Sequence, residues 1–249
     1  MVSERIILGI IGLVMGLAAG TFSYLLRGVT KGAVKGWLYL SLTGASLFLW
    51  GLLWSLGNFI DNEQIKIIAT GIVVPIVAFF AALGYTSFAT EFGVKKPGWL
   101  SVRNIVIIIA VVYVIVGGYN YFFTDYSSII YETGTVGLFV GGVAMIIAAV
   151  SSFLLFRGTG RYIWLMQVVY TLLVLVGLWS INYASLCCWE EGELTDHDAC
   201  SSIDFEYQEI FNLPCAPGGV EFAGAVYNSI AVGLVIFAGS LGAFWWRLR

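Results

Sequence analysis

Seven long apolar runs, each nearly free of charge, constrain this chain more than anything else in it. An α-helix rises about 1.5 Å per residue, so roughly 20 residues cross a hydrocarbon core about 30 Å thick. The runs extend approximately over 6–26, 37–60, 67–90, 105–123, 135–156, 162–186 and 220–246. Strands of a membrane barrel would be shorter and would alternate with polar residues, and these runs do not. Charged residues make up only 11% of the 249, against about 25% in soluble domains. The expected fold is therefore all-α: one integral membrane domain, 1–249, built as a seven-transmembrane-helix bundle.

The charges between the runs set an expected orientation. Arg27, Lys31 and Lys35 share one connection. Lys95, Lys96 and Arg103 share another, Arg157 and Arg161 a third, and Arg247 and Arg249 the tail. These segments alternate along the chain and so lie on one face, which the positive-inside rule assigns to the cytoplasm. The opposite face holds Asp61, Glu63, Asp125, Glu132 and the acidic stretch from Glu190 to Glu209, and only Glu91 breaks the segregation. The N-terminus is expected outside and the C-terminus inside. Ala18-Ala19-Gly20 is a small-residue stretch of the kind signal peptidase accepts, but the first run exceeds a signal core, so it is expected to be retained. An acidic outer face offers no basic surface, so nucleic acid is not an expected partner. No Asn-x-Ser/Thr acceptor is present, which fits a prokaryotic plasma membrane.

All four cysteines, Cys187, Cys188, Cys200 and Cys215, fall in the long connection 187–219 between the sixth and seventh runs. On the expected topology this loop is extracellular, where disulfides persist. Four cysteines allow three pairings; a vicinal Cys187–Cys188 bond is strained, so each is expected to pair with Cys200 or Cys215. A metal site is not expected, because no CxxC spacing occurs and His197 is the lone histidine.

Inside the runs, mid-span charges are missing. Buried membrane charges are costly and mark functional sites, so their absence argues against proton relays, haem ligation and catalysis. The chain is expected not to be an enzyme. The neutral polar residues Asn58, Asn120, Gln167, Asn182 and Asn228 remain, and each is expected to hydrogen-bond across helices for about 1 kcal/mol or less. Gly12, Gly16 and Gly20 have the spacing that lets helix backbones approach closely, which serves dimerisation and internal packing equally well. Trp37, Trp99, Trp245 and Trp246 fall near span ends, as interfacial aromatics do. Trp50, Trp54, Trp164 and Trp179 lie deeper. With Pro75, Tyr85, Gln167, Asn228 and Ser229 they form a candidate apolar pocket. Pro75 is expected to kink its helix, because it removes a backbone donor and clashes with the preceding turn.

Three stretches resemble the microbial (type I) rhodopsins. Leu17-Ala-Ala-Gly-Thr-Phe-Ser-Tyr, with Gly36-Trp-Leu-Tyr-Leu-Ser-Leu-Thr-Gly, looks like the first helix pair of the proteorhodopsin branch. Val73-Val-Pro-Ile-Val, with Pro75 nine residues after Lys66, looks like the third helix. Tyr227-Asn-Ser-Ile-Ala-Val-Gly-Leu-Val-Ile-Phe looks like the seventh. The resemblance implies an opsin-like bundle, but it puts Ser229 where the family has its retinal lysine. It also puts Ala69 and Ala225 where the family has carboxylates. An opsin-like chain without these groups carries no covalent retinal and does not pump. The Trp50/Trp54 pair, Val74-Pro75 and Tyr85-Thr86 also look like the seven-helix sensing modules of sensor kinases, which implies a sensor acting through another polypeptide.

The functional expectation is a non-enzymatic, opsin-like accessory subunit of a membrane complex that binds membrane lipids and either a protein partner or further copies of itself. The alternative is a receptor or carrier for a non-covalently bound apolar ligand, a lipid or an apolar chromophore: retinoid, carotenoid or quinone. A small-solute transporter is a further alternative, although the chain shows no internal repeat and no paired broken helices. The cysteine expectation is checked by intact mass after alkylation without reductant: two disulfides leave no alkylated thiol, whereas four alkylated thiols would contradict them.

Overall fold

The computed structural model describes residues 4–123, 129–189 and 219–249, with side chains for 5–62, 64–118, 136–178 and 228–249. The four-cysteine expectation lies outside the described side chains, as does Trp179. Among the described residues the chain is all-helical, without strands. The helices are α1 (Glu4–Val29), α2 (Gly36–Phe59), α3 (Glu63–Ile68), a π turn (Ala69–Val73), α4 (Val74–Glu91), α5 (Val102–Phe123), α6 (Ile129–Thr159), α7 (Tyr162–Trp189) and α8 (Gly219–Leu248). The segment from α3 to α4 runs as one continuous helix. Five helical stretches are long and apolar enough to cross a membrane: Arg5–Val29, Gly36–Phe59, Gln64–Glu91, Val136–Thr159 and Asn228–Leu248. α5 and α7 contribute shorter apolar stretches among the described residues, Val102–Gly118 and Tyr162–Leu178.

Six of these helices close into a ring. α1 packs on α2, α2 on α4, α4 on α6, α6 on α7, α7 on α8, and α8 returns to α1. α5 stays outside, leaning on α6 and more lightly on α4. The outward surface is aliphatic: Leu17, Val114, Ile115, Val176 and Val232 are each more than half exposed. In water such a surface would be an aggregation hazard; in hydrocarbon it is the expected finish.

The α1–α2 contact is the closest in the ring, and glycine makes it so. A Cβ on Gly16 would fall within 3 Å of the Leu47 and Phe48 backbone. One on Gly44 would strike the backbone of Gly20, and one on Gly51 that of Leu13 and Gly9. Gly12 faces the Trp50 ring, and Gly20 lies at ordinary contact distance from Ala45. The glycine stripe of the first helix therefore meets the second helix of its own chain. A second pinch joins Gly137 of α6 to Gly71 of the π turn.

Pro75 explains the π turn. Lacking an N–H, it leaves the Gly71 carbonyl without its helical donor, and the Val74 N–H reaches back five residues to Ala69. Single π turns of this kind are common at functional sites. In place of the kink expected at Pro75, the structure has a widened turn just before it, within a continuous helical run. Trp37, expected at the interface, is instead buried: its ring meets Phe88 edge-on at 4.6 Å and stacks near Phe244 at 5.9 Å. Trp99 and Trp246 keep large exposed surfaces.

Loop ends are fixed by local chemistry. The Asn62 side chain accepts from the Ile65 N–H and caps α3. Gly160 takes φ of 65° after α6 and donates to the Phe156 carbonyl, as a C-terminal glycine does.

Gly51→Ala is expected to lower stability by about 1–3 kcal/mol, the usual cost of overpacking. Gly239→Ala, where a Cβ meets nothing within 4 Å, is expected to shift it by no more than about 1 kcal/mol. Unfolding of the detergent-purified protein measures both, and equal losses would contradict a glycine-dependent α1–α2 seam.

Candidate functional site

Polar side chains that cannot reach water must pair with one another, and a layer through the middle of the ring does so. The Tyr85 hydroxyl of α4 donates to Gln167 Oε1 of α7, and Gln167 Nε2 donates to Ser240 Oγ of α8. Ser240 in turn donates to the Phe237 carbonyl at 3.0 Å. Thr86 of α4 and Ser151 of α6 share a hydrogen bond of 2.9 Å. Tyr85, Thr86, Ser151 and Gln167 are all buried. Trp164 packs beneath, 4.9 Å from Phe88 and edge-on to Tyr85 at 6.5 Å. This layer is built of buried, mutually contacting side chains.

On the other side of it, toward the end of the bundle where α1 begins, the ring is not filled. A partly open cavity of about 90 Å³ lies between α1, α2, the π turn, α4, α6, α7 and α8. Its wall is almost wholly apolar. Aliphatic groups such as Leu8, Ala78, Met145 and Ile230 make most of it, and Trp50, Trp54, Thr70 and Tyr170 are its members with polar atoms. Thr70 sits in the π turn and Val74, also in the wall, directly follows it, so the irregularity forced by Pro75 borders the empty space. Trp50 and Trp54 stack with centroids 6.1 Å apart. The Trp54 N–H donates to the Arg5 carbonyl at 2.9 Å, whereas the Trp50 N–H is buried without a partner.

The residues singled out in the sequence thus divide. Trp50 and Trp54 line the cavity. Tyr85, Trp164 and Gln167 belong to the packed layer. Pro75 shapes the cavity without lining it. Asn228 is exposed and Ser229 half-buried, and neither is in the wall. Tyr170, Thr70 and Ala78 were not in the candidate pocket. Tyr170, Val174 and Leu178 follow one another at four-residue spacing, one face of a helix, and all three line the cavity; that spacing was the available signal.

Charges stay at the ends. Lys66 Nζ bonds Asp61 Oδ1 at 2.8 Å, and this hydrogen bond and charge hold the Asp61 carboxyl below the usual value. At the other end, burial pushes the Lys96 ammonium down, and Lys96 donates to Thr90 Oγ1. Glu91, the acid that breaks the charge segregation, accepts from the Lys35 N–H at 2.7 Å. It places negative charge at the start of α2, where the helix dipole favours it. Among the described residues no cluster of His, Cys, Asp or Glu could hold a metal.

No family model, curated protein or solved structure matches the chain. The likeness to microbial rhodopsins therefore rests on the sequence stretches alone.

Gln167→Leu is expected to cost about 1–3 kcal/mol, because it strands the buried Tyr85 hydroxyl and removes the donor to half-buried Ser240. Adding Tyr85→Phe should recover part of that loss. A double-mutant cycle measures the coupling, and strictly additive effects would show that the bond contributes nothing.

Proposed function

We propose that this chain is a seven-span integral membrane protein that holds a small apolar molecule non-covalently inside its bundle, as a receptor or carrier rather than an enzyme. Five spans are long and apolar by themselves. α5 and α7 complete the set in this reading, because their apolar stretches continue into helices of 22 and 28 residues. The basic clusters at the end where α8 finishes favour that end inside the cell, and a plasma membrane fits this arrangement.

The cavity is the observation that carries the reading. Ligand sites are concave, mostly apolar and supplied with few polar groups, and this one has all three properties. Its size narrows the ligand. An engineered cavity of about 150 Å³ accepts benzene, and this space is about 90 Å³. A whole retinoid or carotenoid exceeds this space, and the ligand proposed is therefore compact, no larger than a small ring or the end of a lipid. Without a lysine in the last span, whatever binds is held by packing and hydrogen bonding alone.

A partner-binding, accessory role is the second reading, and one observation favours it. α5 lies outside the ring, and its face at Val111, Val114 and Ile115 is exposed. A partner helix packing there would leave the cavity untouched.

The test compares wild type with Ala78→Leu, which puts three more carbon atoms into the cavity. Organic extraction of protein purified in mild detergent, followed by mass spectrometry, should find a small neutral species enriched with wild type and depleted in the variant. No enriched species in either would reject the ligand-binding reading.

A further inference from the structure

Tyr170 carries a hydroxyl with no hydrogen-bond partner among the described residues. The side chain is 1% exposed, and its ring stacks on Phe237 of α8 with centroids 4.5 Å apart and planes 18° apart. The ring is therefore held in place. Its hydroxyl bonds to no described residue, in contrast to Tyr85, which is paired with Gln167. Nor is it among the unpartnered polar atoms fully sealed in the core, which are Ser23 Oγ, Ser55 Oγ and the Trp50 and Trp164 indole nitrogens. The residue itself lines the cavity.

The other polar wall groups are either committed or sealed away. The Thr70 hydroxyl donates back to the Lys66 and Ile67 carbonyls at 3.0 and 3.4 Å. The Trp54 N–H donates to Arg5, and the Trp50 N–H is sealed. No charged side chain lines the space, so a charged ligand would lose its hydration with nothing to replace it. A buried hydroxyl without a partner is costly, and a ligand oxygen would remove that cost.

We infer that the cavity is specific for a compact, uncharged molecule with one acceptor oxygen (a ketone, ether or alcohol) that takes a hydrogen bond from Tyr170 Oη. This rests on the ligand-binding reading and assigns the polarity of the ligand within it. Tyr170 sets specificity, and the aliphatic wall sets size.

The test uses two five-membered-ring probes, cyclopentanone and cyclopentane, on the full-length protein and on Tyr170→Phe, which keeps the ring and removes only the oxygen. Binding of both probes is titrated, and infrared spectroscopy of carbonyl-labelled cyclopentanone reports the hydrogen bond. Wild type should bind cyclopentanone saturably, with a carbonyl band shifted to lower frequency than in detergent alone. Tyr170→Phe should lose the shifted band and bind the ketone about five- to tenfold more weakly, the ratio expected for one neutral hydrogen bond. Cyclopentane should bind both proteins equally. An unshifted band, or equal ketone affinity in the two proteins, would overturn the role of Tyr170 while leaving the cavity as an apolar site. Failure of wild type to bind either probe would overturn the ligand-binding reading itself.

Discussion

The close approach of α1 and α2 is the contact on which the rest of the bundle depends. Two helices meet at this distance only where side chains are missing, and Gly16, Gly44 and Gly51 supply those gaps from both sides. In hydrocarbon no water is released when helices meet, so close van der Waals contact is the main source of association. The same seam shapes the cavity. Gly12 leaves room for the Trp50 ring, so the indole lies against α1 and becomes part of the cavity wall. At the opposite wall the Gly71–Gly137 pinch brings α6 onto the π turn. Tight backbone contacts on two sides of the ring therefore frame a space that no side chain fills.

The solvent explains how the remaining residues are distributed. The exterior is aliphatic and the paired polar groups lie inside, the reverse of what water would select. Tyr85, Gln167, Ser240, Thr86 and Ser151 link α4, α6, α7 and α8 by hydrogen bonds, and lone hydroxyls such as Ser41 and Thr43 donate back to the carbonyl four residues earlier. The interior has two parts with different properties: a packed layer of polar and aromatic side chains, and beside it a small apolar space bordered by the π turn. The first holds the helices in register. The second is where a ligand can enter without displacing a hydrogen bond.

Helices were legible in the sequence because their signal is local: a run of apolar residues reports its own length and hydropathy. The glycine spacing in α1 announced a close contact but not its partner, since Gly44 and Gly51 lie on another helix and only the folded ring brings the two sets together. Trp37 shows the limit of position as evidence. It sits near a span end, yet Gly36 and Phe88 leave a niche that draws the ring inward. The pocket was legible in Trp50 and Trp54 and illegible in Tyr85, Trp164 and Gln167, where Tyr85 bonds Gln167 and the Trp164 ring packs against Tyr85 and Phe88. Tyr170 was missed because a tyrosine looks alike whether its hydroxyl is bonded or free. Pro75 pointed to an irregular turn, and that turn borders the cavity, but no reading of one helix shows an empty space among seven segments.

A density map of the native protein, prepared in lipid without delipidating detergent, tests the central claim most directly. A compact feature is expected between Trp50, Thr70 and Tyr170, with one end within hydrogen-bond distance of Tyr170 Oη. A ring closed over this space, with side chains filling it and no residual density, would contradict it.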